Sequence, residues 1–314
     1  MQTEFVFDSA PFITCHAPTI VTTKQGLIAA WFGGEEEGSP DVGIWMSRRD
    51  SKGWSQLVQV TTGLLSNGAR SACWNPVLFG ADEKLLLFYK VGDSPRNWWG
   101  MLMISRDDGI TWSHPQRLPD GILGPIKNKP VQLSNGDLLC GASCERNGWT
   151  VHMEITPDFG RTWTRSDPLN DGIRLAAIQP TILNYQLGEI QVLCRTRQGN
   201  IAESRSRDQG RVWSRMELID LPNPDSGLDG VVLRDGRGFL VYNHSKRKRS
   251  PLNVAISHDG KKWFKTLTLE DQVGEYSYPA VIQSSDDLVH VVYTWNRRRI
   301  KHVVLDPSQS FEIA

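Results

Sequence analysis

Apolar and polar positions alternate along this chain in runs of strand length, with no stretch that keeps a helical period. The runs come in pairs joined by turn-forming residues. They read HAPTIV–TKQG–LIAAWF, NPVLF–GADEK–LLLFYK, KPVQL–SNG–DLLCGAS, QPTIL–NYQLGE–IQVLCRT, DGVVL–RDGRG–FLVYNHS and YPAVI–QSSDD–LVHVVYTW. Between them a second pattern recurs, in which an alternating run such as GMLMIS or LNVAIS leads into SRDDGITW, TPDFGRTW, SRDQGRVW or SHDGKKW. These motifs end at Trp112, Trp163, Trp213 and Trp263, at intervals of 51, 50 and 50 positions, and SRRDSKGW ending at Trp54 is a degraded copy. A repeat of about fifty residues offering four short strands is a propeller blade. Six hairpin copies predict an all-β, six-bladed β-propeller with Asp-box repeats, one domain over residues 1–314. The last run, RIKHVVL, needs a strand partner, and the N-terminal EFVF is expected to supply it and close the ring.

The Asp-box is a folding device. Its Asp and Gly make a tight turn with a side-chain-to-backbone bond and a positive φ, and its Trp is expected to pack between neighbouring sheets. Propeller geometry puts these turns on the bottom face. Inner-strand starts and the loops from second to third strand lie on top, where functional residues are sought. The inner-strand starts supply His16, Asn75, Lys129, Gln179, Asp229 and Tyr278. The loops supply GGEEEGSPD (33–41), Glu145 with Arg146, Arg195 and Arg197, HSKRKR (244–249) and NRRR (296–299). Carboxylates of the first blade thus face arginines of the fourth, fifth and sixth. Guanidinium groups match carboxylates with paired hydrogen bonds, and carboxyl groups do general acid or base work. Trp31, Trp45, Trp74, Trp98, Trp99 and Trp149 fall in or near the same region as candidate sugar-stacking rings.

Charge removes several alternatives. Lys and Arg total 35, as do Asp and Glu, which speaks against a nucleic-acid or membrane-surface partner held by net charge. Five cysteines at irregular spacing suit neither a zinc site nor a closed disulfide set and are expected to be small core residues. Neither a leader pattern nor a bilayer-length apolar stretch is present, so a cytoplasmic location without a membrane partner is expected. No metal or cofactor is expected.

On these motifs the chain resembles the sialidase superfamily, specifically a divergent branch of bacterial sialidase-like Asp-box propellers, over essentially its whole length. Members of that family use Tyr as a nucleophile activated by Glu, three arginines on the substrate carboxylate, and an Asp acid. The resemblance implies that Asp41 is the acid/base, with Glu36 and Glu37 as alternates. It makes Arg195 in VLCRTR the second carboxylate-binding arginine and Arg249, before SPLNVAIS, the third. Through EYSYP it makes Tyr276 the nucleophile, whereas the internal repeat points to Tyr278. The two alternate positions share one face of a regular strand, so both stay open. Two positions depart from the family: His16-Ala17-Pro18 replaces its opening Arg-Ile-Pro, and Gln179 stands where a Glu is expected.

The function implied is exo-hydrolysis of a glycan ending in a carboxylated sugar, such as sialic acid. Catalysis falls to Asp41, Tyr276 or Tyr278, His16 and Glu37. Binding falls to Arg195, Arg249, Gln179, Lys129, Asn75, Asp229, Glu145 and Arg197. A general acid at Asp41 requires a carboxyl raised by burial. The alternatives are a uronate-specific lyase that uses His16, the tyrosine and the arginines, and a glycan-binding propeller without catalysis.

Overall fold

A computed structural model describes residues 1–65, 67–185 and 188–309. Its strands form six antiparallel sheets arranged as the blades of a propeller. Blade I comprises β2 (Thr14–Thr23), β3 (Gly26–Gly34), β4 (Gly43–Asp50) and β5 (Gly53–Trp54), with β6 (Val58–Thr61) also pairing β4. Blade II comprises β7 (Cys73–Ala81), β8 (Lys84–Val91), β9 (Trp99–Ser105) and β10 (Gln116–Arg117). Blade III comprises β11 (Val131–Gln132), β12 (Leu138–Cys144), β13 (Thr150–Thr156) and β14 (Thr164–Arg165). Blade IV comprises β15 (Ala177–Asn184), β16 (Ile190–Thr196), β17 (Asn200–Ser206) and β18 (Glu217–Pro222). Blade V comprises β19 (Asp229–Val232), β20 (Gly238–Tyr242), β21 (Leu252–Ser257) and β22 (Phe264–Glu270).

Blade VI takes β23 (Tyr276–Gln283), β24 (Val289–Trp295) and β25 (Arg299–Leu305) from the end of the chain and β1 (Gln2–Phe5) from its start. Gln2 pairs with Val304 and Phe5 with Lys301, so the expected closing strand is present. This pairing covers an edge that β25 would otherwise leave open.

The Asp-box turns form as their residue types dictate. In blade II, Asp107 accepts the Thr111 N–H at 2.8 Å and its hydroxyl at 2.6 Å, while Ser105 accepts the Gly109 N–H at 2.7 Å. Those bonds, led by the Thr111 hydroxyl, hold the Asp107 carboxyl down at about 2. Gly109 has φ +76°, and a Cβ there would lie 3.1 Å from Ile28 of blade I. Gly160 of the next box presses likewise against Leu102 of blade II. Each box is thus a wedge seated on the blade before it. Trp54 of the degraded copy fits the same rule, meeting His302 of blade VI edge-on at 5.3 Å. Among the cysteines, Cys15, Cys73, Cys140 and Cys194 are buried, Cys144 is half-buried, and all five are free thiols.

Candidate active site

Four inner strands share one irregularity that builds the site. Ala17, Asn75, Gln179 and Tyr278 each precede a proline and each have positive φ, at 53°, 39°, 56° and 55°. The register with the neighbouring strand slips at each position. Proline cannot donate to a ladder, and the bulge that accommodates it turns the preceding side chain. A positive φ before proline is strained, and here the strain recurs around the channel.

The bulge decides between the two tyrosines. It breaks the alternation on which a shared face depended, so Tyr276 and Tyr278 point apart. Tyr276 lies opposite Trp295 and packs with Leu252, Val254 and Leu269 in the core between blades V and VI. Tyr278 turns to the axis, where residues of blades I, III, IV and V meet it. The bulge also shifts the internal alignment: the position equivalent to Tyr278 in blade I is Ala17, not His16. His16 nevertheless reaches the axis, with its ring centroid 4.1 Å from that of Tyr278.

Two N–H groups converge on the Tyr278 oxygen, from Arg195 Nη1 at 2.5 Å and Gln179 Nε2 at 3.3 Å. The guanidinium of Arg249 lies 5.6 Å from the tyrosine ring centroid and the ammonium of Lys127 at 6.0 Å. Lys127 is fully buried and bonded to Asn128 Oδ1 and to the carbonyls of Leu228 and Pro279. Burial brings it down to about 7. His16 bonds Thr294 through Nδ1 at 2.9 Å. Burial, then the cations Arg297, Arg249, Arg195 and Lys127, hold its imidazole neutral, well below the usual histidine range. His16 Nε2 and Gln179 Oε1 are buried here without a hydrogen-bond partner, as is Arg195 Nε, which faces Asp225 only as an ion pair.

Arg297 was not singled out within the NRRR run, yet it supplies a third guanidinium. It sits at positive φ in the turn between β24 and β25, beside Cys15 and His16. It bonds Glu275 at 3.0 Å and also Glu37. Arg249 holds the same Glu275 at 2.8 Å. Burial alone would raise the Glu275 carboxyl, but Arg297 and Arg249 outweigh it and keep it below the ordinary carboxylate range. Arg195 is buried against Asp225, Nε to Oδ1 3.1 Å, with the Trp149 ring 5.1 Å away. Arg197 stacks on the other part of this wall, 4.3 Å from Trp149.

The acidic candidates separate by environment. Asp41 is exposed and accepts the Glu35 N–H at 2.8 Å, closing its loop. Asp41 therefore stands outside the buried setting expected for it. Glu36 and Glu37 line a cavity of about 560 Å³ beside His16, together with Trp74, Pro95 and Arg297. Glu145, half-buried and bonded by Trp149, is raised by desolvation against the opposing pull of Arg195. Asp225, which sequence reasoning missed, is raised by desolvation in the same way.

Other candidates stand elsewhere. Asp229 accepts bonds from Lys129 at 2.9 Å, Thr181 at 2.6 Å and the Val281 N–H at 2.8 Å, so Lys129 and Asp229 tie blades III to VI together. Their polar atoms are spent on the ring. Asn75 is buried at its bulge in blade II. Trp31 is stacked on Phe7 in the core, and Trp45 donates to the Gly33 carbonyl. Among the described residues, no group of three or more His, Cys, Asp or Glu is placed to hold a metal ion.

Residues 25–291 match a protein family described as BNR repeat-like domain. No curated protein matches the chain by sequence. Among solved structures, a protein of unknown function from Dyadobacter fermentans superimposes with a TM-score of 0.83 at 16% identity, covering 97% of both chains. A Hadza microbial sialidase, Hz136, gives 0.79 at 18% identity, over 94% of this chain and 66% of that one. The Trypanosoma rangeli sialidase in complex with sialic acid gives 0.74 at 15% identity, over 95% and 55%. The chain therefore spans about half to two thirds of those sialidases. At such identities the likeness shows the shared propeller fold.

Proposed function

The chain belongs to the BNR repeat-like domain family, and from that premise we propose that it is an exo-acting glycoside hydrolase for a terminal carboxylated sugar. The observation that carries the proposal is the cluster of Arg195, Arg249 and Arg297 around the Tyr278 oxygen and the His16 ring. Cations and tyrosine together suit a sugar whose carboxylate is adjacent to the reacting carbon. The arginines hold the carboxylate, and Tyr278 attacks the anomeric carbon or stabilises the cation that forms there.

Gln179 cannot take the phenol proton, but His16 Nε2 is neutral, unpartnered and beside the ring. Three of the cations that suppress protonation of His16, Arg297, Arg249 and Arg195, are those assigned to the substrate carboxylate. A bound carboxylate neutralises part of their field, so His16 becomes a better proton acceptor when the correct substrate is present. Glu145, a carboxyl raised by burial, serves as proton donor to the leaving oxygen.

Gln179 in place of Glu favours one second reading, a lyase acting beside a uronate carboxylate, with the His16–Tyr278 pair as base and acid and the arginines on the enolate. A panel of sialosides, uronosides and uronate polymers tests both. Release of free acid sugar supports hydrolysis, and ultraviolet absorbance of an unsaturated product supports elimination. Turnover of none of them, with binding retained, leaves a glycan-binding propeller.

A further inference from the structure

Between blades II and III, outside the axial cluster, lies a cavity of about 340 Å³ that none of the roles above uses. Pro95 lines both this cavity and the one beside His16, so the turn that follows β8 is the ridge between neighbouring hollows. That turn is closed by the Asn97 N–H on the Ser94 carbonyl at 2.9 Å. The volume is within the range of small-ligand sites.

Three kinds of group converge there. Arg96, Arg117, Arg146 and Arg165 line the cavity, and Asp120 is the acid among them. Arg117 pairs with Asp120 at 3.2 Å, but both side chains are more than half exposed, so the pair is weak and a ligand can displace it. Arg165 and Arg146 donate to main-chain carbonyls, of Gly121 at 3.1 Å and Arg96 at 3.4 Å, which leaves their charge uncompensated. Trp99 offers a ring, with the Arg117 guanidinium 5.1 Å from its centroid.

The third group is His152, 1% exposed at the cavity wall. Its Nε2 lies 2.9 Å from Glu154 Oε1, and Glu154 also accepts the N–H groups of Leu123 at 3.0 Å and Gly124 at 2.6 Å. A carboxylate that accepts from every neighbour fixes His152 with its proton on Nε2. Nδ1 is the ring nitrogen left free, and it is buried without a partner. A simple anion would satisfy the arginines and leave Nδ1 empty. A sugar ring carrying an acid group satisfies all three features: acid to arginine, hydroxyl to Nδ1, ring face to Trp99.

We propose that this cavity is a second subsite, binding a carboxylated or sulfated sugar linked to the one in the axial site, so that the substrate is a glycan with acid groups on neighbouring units. The proposal rests on the axial reading for the identity of the first sugar only.

Calorimetric titration of four probes tests it: a uronic acid monosaccharide, a disaccharide of two uronates, a disaccharide of one uronate and one sulfated sugar, and a uronate joined to a neutral sugar. The wild type is expected to bind one or both doubly acidic disaccharides about tenfold or more tighter than the other two. Which of them gains identifies the acid as carboxylate or sulfate. Arg117→Ala with Arg146→Ala, both exposed positions, should erase that gain and leave the monosaccharide affinity unchanged. Equal binding of all four probes by the wild type overturns the subsite, as does a gain that survives the double substitution. Arg195→Ala with Arg249→Ala separates the two ideas. If the gain depends on Arg117 and Arg146 but binding ignores Arg195 and Arg249, the subsite stands and the axial reading falls.

Discussion

Arg195 Nη1 donates to the Tyr278 oxygen at 2.5 Å across the channel, from the second strand of blade IV to the first of blade VI. The pair are 83 positions apart in the chain. They meet because Tyr278 sits at a strained pre-proline bulge and because Asp225 and the Trp149 ring flank the guanidinium. A strained position held by packed neighbours marks a side chain whose direction matters.

Tyr278→Phe should therefore lower kcat by about 10²-fold or more, since it removes the oxygen proposed to react and leaves Arg195 without its acceptor. Tyr276→Phe changes a side chain packed on Trp295 and should leave kcat within about twofold. Steady-state kinetics of the two variants, with melting temperatures to check folding, decide the matter. The opposite ranking would return the nucleophile to Tyr276.

The propeller is legible in the sequence because each blade repeats the same turn chemistry, and Asp, Gly and Trp can hardly be exchanged at an Asp-box. The site is less legible, for physical reasons. Whether Tyr276 or Tyr278 faces the channel depends on the bulge before Pro279, which breaks the two-residue period without changing the hydrophobic pattern. Arg297 hides in a run of three arginines, and only the turn geometry says which one faces inward. Asp229 and Lys129 look like ligands for a substrate at the ends of inner strands, but they ligate each other and the ring. Asp225 carries no motif at all. Its role comes from Arg195, which no local window contains.

Arg297 gives a test of the third guanidinium. Arg297→Lys keeps a cation but loses the planar fork that bonds both Glu275 and Glu37 at the cavity beside His16. A charged hydrogen bond to substrate contributes about 1.5–3 kcal/mol, so kcat/KM should fall about ten- to hundredfold on a carboxylated sugar. On the corresponding sugar amide the loss should be much smaller. Equal losses on acid and amide would make Arg297 a support for Glu275 and not a carboxylate ligand.

His16 predicts a stability signature independent of any substrate. Its folded pKa lies below the unfolded value, so the folded state binds fewer protons than the unfolded chain at mildly acid pH. Its contribution is full above about pH 6.5 and is lost as pH falls from there toward the folded value. His290 and His302, also lowered, act in the same direction, the latter at about 4. Denaturant titrations from pH 7.5 to 5 should show His16→Gln losing less stability than wild type, by up to about 1.4 kcal/mol per pH unit. Parallel curves would mean that His16 accepts a proton freely in the folded state, and its role as a neutral acceptor would fail.

The proton donor is open to a comparison of leaving groups. A general acid must be protonated before it acts, which suits a carboxyl whose pKa burial has raised. Glu145 meets that condition, whereas Asp41 is exposed and spends its carboxylate on the Glu35 N–H. Activity on an alkyl glycoside should fall as pH rises through the Glu145 value. Glu145→Gln, which has no carboxyl proton, should remove most of that activity, by about 10²-fold or more. A nitrophenyl glycoside needs little protonation of its leaving oxygen, so the same variant should lose far less on it. Asp41→Asn should reduce both substrates by similar, smaller factors through its loop. If Asp41→Asn instead shows the leaving-group dependence and Glu145→Gln does not, the acid is Asp41. Substrate closing over the 33–41 loop would then have to provide the burial that the free protein lacks.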